Sequence, residues 1–147
     1  MKIWLITLAL LAASSPLLGD SHSTADGMGE LVILATGFKN SQGQAGANLF
    51  LNQDSMFDHP HRQAFAKIID GKAEIRFPDL PYGDYALVVF HDENQNGRVD
   101  HNFFNFPSEP LGYSNGFSFG LTSGMPTFEK LRIHFNQDFG PVSITVD

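Results

Sequence analysis

The residues best suited to chemistry lie in one short segment, from Asp92 to Asp100. It reads Asp-Glu-Asn-Gln-Asn-Gly-Arg-Val-Asp, with oxygen-bearing side chains at positions one, three, five and nine and a glycine at position six. Calcium-binding loops use this spacing, because Ca²⁺ takes six to eight oxygen ligands from carboxylates, amides and backbone carbonyls. The segment therefore predicts a weak site for a divalent cation, with Ca²⁺ as the cofactor.

The predicted ligands combine side-chain oxygens, one backbone carbonyl and one carboxylate from further along the chain: Asp92, Asn94, Asn96, Asp100, the carbonyl of Arg98, and Glu109. Gly97 permits the sharp bend that brings such groups together. The pattern matches only the front half of an EF-hand loop, since Phe103 stands at position twelve, where that loop has a bidentate glutamate. Glu109 is the candidate for the missing carboxylate, and Asp84 is the second candidate.

A plain hairpin turn is the alternative for this segment, because Asn96-Gly97 is itself a common type I′ turn pair. A simple turn, however, needs neither Asp92 nor Asp100 at its offset. With two carboxylates in the loop, we expect a dissociation constant of roughly 0.1–1 mM. Such a site is better suited to clasping a loop than to sensing calcium.

The rest of the chain contains few other candidates for chemistry. Asp58-His59-Pro60-His61 places two imidazoles beside a carboxylate, which suits a transition metal, although a solvated loop is the preferred interpretation. His91 is expected to be structural or to orient a cation ligand. Nucleophile elbows, P-loops and zinc-protease motifs are absent from the sequence, so no catalytic residue is predicted and enzymatic activity is left open.

The N-terminal residues have the features of a secretory signal peptide. Lys2 precedes an apolar run from Ile3 to Ala13, which is too short to span a bilayer. We expect residues 1–25 to form the signal, with cleavage after Gly19 or Ala25. The sequence thus predicts a periplasmic or secreted protein without a membrane span after cleavage.

Composition restricts the classes of partner. The net charge is −7, and it is unchanged by removal of residues 1–25, which contain one base and one acid. This balance argues against nucleic acid and anionic membrane surfaces as partners, and it is compatible with divalent cations or basic partners. The chain has no cysteine, so no disulfide supports the fold. Residues 26–147 suffice for a single domain.

Short runs of alternating apolar residues predict an all-β fold, a seven-stranded Ig-like β-sandwich. The predicted strands cover residues 30–38, 44–52, 65–69, 72–77, 85–90, 131–135 and 142–146. Asp70-Gly71 predicts a type I′ hairpin between the third and fourth strands. No helix of ten residues is expected, and residues 19–29 are expected to form a flexible leader.

One long aromatic and glycine-containing loop, from Phe103 to Phe128, interrupts this rhythm. Its seven aromatic residues argue for an ordered loop rather than a disordered one. The preferred interpretation is that the rings cover the end of the sandwich; the alternative is that they bind a sugar, a peptide or a protein. A short edge strand is predicted at Phe117-Ser118-Phe119.

From about Glu30 to Asp147 the chain resembles the DUF2141 family, exported bacterial proteins of unknown function. The resemblance rests on Leu80–Ala86, His91–Gly97, Asn102-Phe103-Phe104, Pro107-Ser108-Glu109, Gly112–Asn115 and Pro126–Glu129. Its Leu-Pro-x-Gly-x-Tyr turn is similar to turns of prealbumin-like sandwiches, which implies that fold. One branch of that group hydrolyses hydroxyisourate and ends in Tyr-Arg-Gly-Ser. This chain ends in Ser-Ile-Thr-Val-Asp, and the difference argues against an expectation of that activity.

These observations lead to one main expectation for function. The chain is expected to be an exported, non-catalytic module of the cell envelope, in which a cation orders the neighbouring long loop. The alternatives are a small periplasmic hydrolase and a module that binds a ligand or carbohydrate through the aromatic loop. The partner, whether a protein or a glycan, is not identified by the sequence.

Overall fold

A computed structural model describes residues 27–52 and 59–147. The predicted signal peptide and Asp58 lie outside the described residues. Eight strands and one short helix form in the order β1 Met28–Thr36, β2 Gln44–Phe50, β3 Arg62–Ala66, β4 Lys72–Pro81, β5 Gly83–Asp92, β6 Leu111–Tyr113, α1 Phe128–Leu131, β7 Ile133–Phe135 and β8 Val142–Thr145. Within these segments, no helix is long and apolar enough to cross a membrane.

The strands form two sheets. The first sheet has the order β4-β1-β8, in which β1 is antiparallel to β4 and parallel to β8. The second sheet has the order β3-β2-β5-β6, and β7 pairs with the other end of β5. The prediction of an all-β, two-sheet sandwich is confirmed, with eight strands in the described chain instead of seven.

Apolar side chains from both sheets form the main core. The largest buried contributors from the first sheet are Leu31, Ile33, Ile75, Phe77 and Leu80, and those from the second sheet include Leu49, Leu87 and Val89. Alternation in β4 places Ala73, Ile75 and Phe77 inward and the intervening charged residues outward, as its sequence predicts. Burial of these side chains, each contributing about 1.5–3 kcal/mol, holds the sheets together.

Strand β5 is buried on both faces and lies at the centre of the second sheet. Its outer face contributes Ala86, Val88 and Phe90 to a second apolar cluster with Leu111, Phe128 and Leu131. The long connection after β5 therefore does cover the sandwich, at the places where Leu111, Phe128 and Leu131 pack. This burial on two faces matches the uninterrupted apolar run in the sequence of β5.

The predicted hairpin at Asp70-Gly71 is wrong beyond its turn. The turn forms, with positive φ at both residues and paired backbone hydrogen bonds between Ile69 and Lys72. The arms then separate, since β3 pairs with β2 in the second sheet while β4 pairs with β1 in the first. A local turn signal cannot indicate which sheet each arm joins.

Several other boundaries differ from the predictions. Strand β1 begins at Met28, so the predicted leader through Gly29 extends too far. Strand β4 continues to Pro81, which leaves Tyr82 alone between β4 and β5. Phe117–Phe119 is not a strand; the edge strand is β6, at Leu111–Tyr113, and it divides the predicted 26-residue loop. Its three residues are too few to show alternation in a sequence.

Strand β6 can pack closely against the C-terminal residues only because residue 112 is a glycine. A Cβ at Gly112 would lie 2.4 Å from the carbonyl oxygen of Thr145, whereas one at Gly83 would meet nothing within 4 Å. We expect Gly112→Ala to lower the free energy of unfolding by about 1–3 kcal/mol, because backbone must move to admit the methyl group. Gly83→Ala should be neutral or stabilise by up to about 1 kcal/mol.

Urea denaturation of the two variants and wild type provides the measurement. Both substitutions replace a strand glycine with alanine, so Gly83→Ala controls for backbone entropy. Equal midpoints for the two variants would show that β6 is not held against the C-terminal residues as described.

Candidate functional site

The candidate site is built on the carboxylate of Asp92, the last residue of β5. This side chain is 0% exposed. Its Oδ1 accepts a hydrogen bond from the backbone N–H of Asn96 at 3.0 Å. Its Oδ2 accepts one from the backbone N–H of Gly97 at 3.0 Å and one from Nε2 of Gln44 at 2.8 Å. Three donors therefore satisfy the carboxylate and fix the first turn of the loop.

Two asparagines shape the rest of the turn. The side-chain oxygen of Asn94 accepts from the backbone N–H of Asn96, and that of Asn96 accepts from the backbone N–H of Arg98, each at 3.0 Å. The amide nitrogens of Asn94 and Asn96 donate to the two carboxylate oxygens of Asp100 at 2.6 and 2.7 Å. The loop thus folds around the Asp100 carboxylate through neutral donors.

Glu109 closes the loop from the other side. Its Oε2 accepts from the backbone N–H of Asp100 at 3.1 Å, and the carbonyl of Asp100 accepts from the backbone N–H of Ser108 at 2.8 Å. Burial raises the pKa of the Glu109 carboxyl, and the negative charges of Asp100 and Asp92 raise it further, against the lowering effect of its backbone hydrogen bonds. The charges of Asp92 and Asp100 thus act on the Glu109 carboxyl in addition to its burial.

The structure therefore brings together Asp92, Asn94, Asn96, Asp100 and Glu109, five of the six predicted side chains and carbonyls, through direct hydrogen bonds or shared charge. No hydrogen bond places the Arg98 carbonyl in this network within the described segments. Asp84 is excluded as a ligand, because it sits at the opposite end of β5 and bonds His134 Nδ1 at 2.7 Å. Whether this set binds a cation stays a prediction.

The carboxylates of the site are not neutralised by ion pairs in the described residues, although Arg98 belongs to the same segment. Among residues 27–52 and 59–147, none of the ion pairs involves Asp92, Asp100 or Glu109. The described residues also contain no group of three or more His, Cys, Asp or Glu side chains arranged to hold a metal ion by themselves. A cation here would depend on amide and backbone oxygens in addition to the carboxylates, which is the chemistry that Ca²⁺ accepts.

Glutamines on neighbouring strands anchor the loop, a role that the sequence analysis does not predict. Gln44 is the register partner of Asp92 across β2 and β5, which brings its amide to the carboxylate. Gln63 on β3 donates to the carbonyl of Gly97 at 3.1 Å and to Oδ1 of Asn48 at 2.8 Å. Strand pairing, which the sequence does not reveal, is the signal that would have identified these residues.

The plain-turn alternative for Asn96-Gly97 is wrong. A type I′ turn requires positive φ at both central residues, but positive φ occurs at Gln95 and Gly97 and not at Asn96. Strands β5 and β6 are antiparallel neighbours separated by residues 93–110. The loop is therefore a long, internally bonded connection.

The remaining histidines show no catalytic arrangement in the described chain. His91 is buried, its Nε2 lies 2.8 Å from the carbonyl of Gln42, and its ring makes an edge contact with Phe38. His91 is therefore a structural residue below the loop. His59 and His61 are exposed. Ser114 is buried, and its hydroxyl bonds the backbone of Leu87 and Leu131, so it too is structural.

The preferred interpretation, that the rings of the long connection cover the sandwich, is correct only in part: Tyr113, Phe117 and Phe128 pack against the outer face of β5, and the other four rings are exposed. Phe103 is 96% exposed and Phe104 is 76% exposed, while Phe106 and Phe119 are more than half exposed. Phe103 and Phe104 project from an ordered turn, in which Oδ1 of Asn102 accepts from the backbone N–H groups of Phe104 and Phe106. These rings do not cover the sandwich, and they form an apolar surface beside the loop.

We expect Asp92→Ala to lower the free energy of unfolding by at least about 2 kcal/mol in EDTA. The substitution removes the acceptor of the Gly97 backbone N–H and of the Gln44 amide, and one of the two acceptors of the Asn96 N–H, and each hydrogen bond to a charged group contributes about 1.5–3 kcal/mol. Asp138→Ala, at an exposed loop position, is the control and should change stability by less than about 0.5 kcal/mol. Equal effects in urea denaturation would contradict the role assigned to Asp92.

Comparisons with known proteins agree with this structure at the level of the family. No curated protein and no solved structure matches the chain. A family model described as "Uncharacterized protein conserved in bacteria (DUF2141)" matches residues 33–141. This range contains the candidate loop, Glu109 and six complete strands, β2 to β7. The chain therefore belongs to the DUF2141 family.

Proposed function

We propose that this chain is an exported, non-catalytic module of the cell envelope whose 92–100 loop binds Ca²⁺ weakly and thereby orders the segment that follows. One observation carries the proposal: the carboxylates of Asp92, Asp100 and Glu109 are linked through the hydrogen bonds of one loop, and none of them forms an ion pair within the described residues. Uncompensated negative charge in a half-buried site is stabilised by a bound cation.

Ligand chemistry supports a calcium-type ion. Carboxylates, amide oxygens and backbone carbonyls are the oxygen ligands that Ca²⁺ prefers, and the loop offers all three kinds. The side-chain oxygens of Asn94 and Asn96 each accept one hydrogen bond and keep a second lone pair. A cation would replace the two amide N–H groups as partners of the Asp100 carboxylate. Because neutral donors already satisfy that carboxylate, the gain on binding is small and the affinity is weak.

Local ordering follows from the position of Asp100 and Glu109. Residues 100–109 are joined by the hydrogen bonds from Asp100 N–H to Glu109 and from Ser108 N–H to the Asp100 carbonyl. An ion held by both carboxylates would tie this stretch to the end of β5. The cation would then act as a clasp on a loop whose rings are exposed.

Export is supported by the N-terminal sequence. Lys2 and the apolar run from Ile3 to Ala13 have the order of charge and hydrophobicity that a secretory signal requires. A Ca²⁺ site with a dissociation constant near 1 mM fits an extracellular or periplasmic location, because only there do calcium concentrations approach that value.

We do not propose the hydrolase alternative. A buried catalytic pair or a polar cleft beside His91 would support it. The carboxylate nearest His91 is that of Glu93, which is half exposed and lies 3.8 Å from Nδ1, beyond hydrogen-bond distance, while Gln42 and Phe38 serve hydrogen bonding and packing. His91 does not line the cavity beside β6.

Addition of about 2 mM Ca²⁺ should raise the thermal midpoint relative to EDTA by about 3–8 °C. With a dissociation constant of roughly 0.1–1 mM, binding stabilises the fold by about 0.6–1.8 kcal/mol, and a domain of this size shifts by a few degrees per kcal/mol. The effect should be at least halved in Asp100→Asn and Glu109→Gln, which keep the size of each side chain and remove its charge.

Asp138→Asn is the matched control and should retain the full shift. Mg²⁺ at the same concentration should produce a smaller shift, because it demands octahedral geometry and gives up water reluctantly. Calorimetry or circular dichroism supplies the midpoints. Identical wild-type midpoints in Ca²⁺ and EDTA would reject the cation site.

Hydrogen–deuterium exchange tests the ordering separately. In Ca²⁺, amides within residues 100–109 should exchange more slowly than in EDTA, because an ion across Asp100 and Glu109 restrains the bonds that protect them. Amides of β4, on the other sheet, serve as the internal reference and should not change. If Ca²⁺ raises the thermal midpoint but does not slow exchange in residues 100–109, the protein binds the cation but the cation does not order this segment.

A further inference from the structure

A cavity of about 780 Å³ lies beside the 92–100 loop. It is enclosed by the turn at residues 101–107, strand β6 and the segment before α1. This size is within the range of sites for small organic ligands. Its lining includes the aromatic rings of Phe106, Tyr113 and Phe119 and the side chain of Met125. Phe106 and Phe119 are both more than half exposed, so their faces are available to a ligand.

Carboxylates supply the charge of this cavity. Glu109 and Asp147 line it, and no lysine or arginine is among its lining residues. Asp147 is placed beside β6 by the hydrogen bond from its backbone N–H to the carbonyl of Leu111 at 3.2 Å. The pKa of the Tyr113 hydroxyl is raised, first by burial and then by the negative charge of Asp147. The field of Asp147 therefore reaches into the cavity.

We infer that this cavity is a binding site for a small organic ammonium ion that carries an apolar body. Two features on the lining act on the same class of ligand. Aromatic faces attract an ammonium group through their quadrupole, and the carboxylates attract its charge. The apolar rings and Met125 then hold the carbon skeleton, since thioether and phenyl groups adapt to irregular apolar shapes.

Other ligand classes fit this lining less well. An anionic ligand would meet two carboxylates, against a single histidine, His101, and no lysine or arginine. A neutral ligand, whether an apolar molecule or a glycan, would contact the rings and Met125 without any charge–charge attraction to the two carboxylates.

The wall containing Met125 is held in place by Lys130. Its ammonium group donates to the carbonyls of Ser123 and Met125 at 2.7 and 2.8 Å and lies over the ring of Phe117. These contacts orient the Lys130 ammonium group toward backbone carbonyls. Lys130 therefore shapes the cavity without lining it.

Three water-soluble probes of similar size test the inference: 2-phenylethylammonium, neutral 2-phenylethanol and anionic 3-phenylpropanoate. The readout is the NMR shift of the Met125 methyl group in protein labelled at methionine methyls, with Met28, which lies outside the cavity, as internal reference. Titrations are made in EDTA, so that they do not depend on the cation site. We expect the ammonium probe to bind with a dissociation constant of about 1 mM, and the alcohol at least about fivefold more weakly.

Variants separate recognition of the ring from recognition of the charge. Phe119→Ala and Asp147→Asn should each weaken ammonium binding by roughly two- to fivefold. Only Asp147→Asn should also reduce the ratio between the dissociation constants of the alcohol and the ammonium probe. Phe104→Ala, on an exposed ring outside the lining, and Asp138→Asn, on a remote surface, are the matched controls and should leave binding unchanged.

Each remaining outcome decides against the inference. Equal binding of the alcohol and the ammonium probe would identify a merely apolar cavity. Absence of a Met125 shift at about 20 mM ammonium, some 20-fold above the expected dissociation constant, would exclude the site, provided that circular dichroism shows folded protein. Tighter binding of the propanoate than of the ammonium probe would show that the cavity selects anions, which contradicts the inference.

Discussion

The hydrogen-bonded carboxylate of Asp92 is the constraint on which the loop end of the molecule depends. It lies at the point where the central strand β5 ends, and it is wholly buried. Its three donors come from two places: Asn96 and Gly97 in the loop, and Gln44 on the adjacent strand. The same side chain thus joins β5 to β2 and sets the path of the chain after β5.

A series of hydrogen bonds connects Asp92 to the residues further along the loop. Asn96, whose backbone bonds Asp92, also donates its side-chain amide to Asp100. The backbone of Asp100 in turn contacts Glu109 and Ser108. All of these bonds except that of Ser108, which donates to the Asp100 carbonyl, join a neutral donor to a charged acceptor, and such bonds are stronger than neutral pairs. The loop can therefore be ordered without a cation, which is why a bound ion would add little to global stability.

The parts of the fold that the sequence predicts are those fixed by local pattern. The continuous apolar run of β5 and the alternation in β4 require no knowledge of partners. The turn at Asp70-Gly71 also forms, because positive φ is a local property of those residues. Its arms separate because β3 and β4 find partners in different sheets, and pairing between distant segments is not encoded in the turn. Strand β6 is not predicted, because three residues are too few to show the alternation of a strand.

The residues of the candidate site also fall into two groups: those that a local pattern predicts and those that strand pairing brings to the site. Spacing alone identifies Asp92, Asn94, Asn96 and Asp100, because these groups belong to one continuous segment. Glu109 is also accessible to sequence reasoning, since a missing carboxylate directs attention to the acids that follow. Gln44 and Gln63 are not, because their roles arise from the register of β2 against β5 and from the position of β3.

Glu109 belongs both to the loop and to the cavity, so the two proposed sites cannot be independent. Its Oε2 accepts from the backbone of Asp100, and its side chain also lines the cavity of Phe119 and Asp147. A cation bound by Glu109 would cancel part of the negative charge that an ammonium ligand requires, and two positive ions near one carboxylate repel each other. Linkage makes the effect reciprocal: if Ca²⁺ weakens ammonium binding, the ammonium ion must weaken Ca²⁺ binding by the same factor. Mutual antagonism is therefore the physical consequence of placing one carboxylate between the two sites.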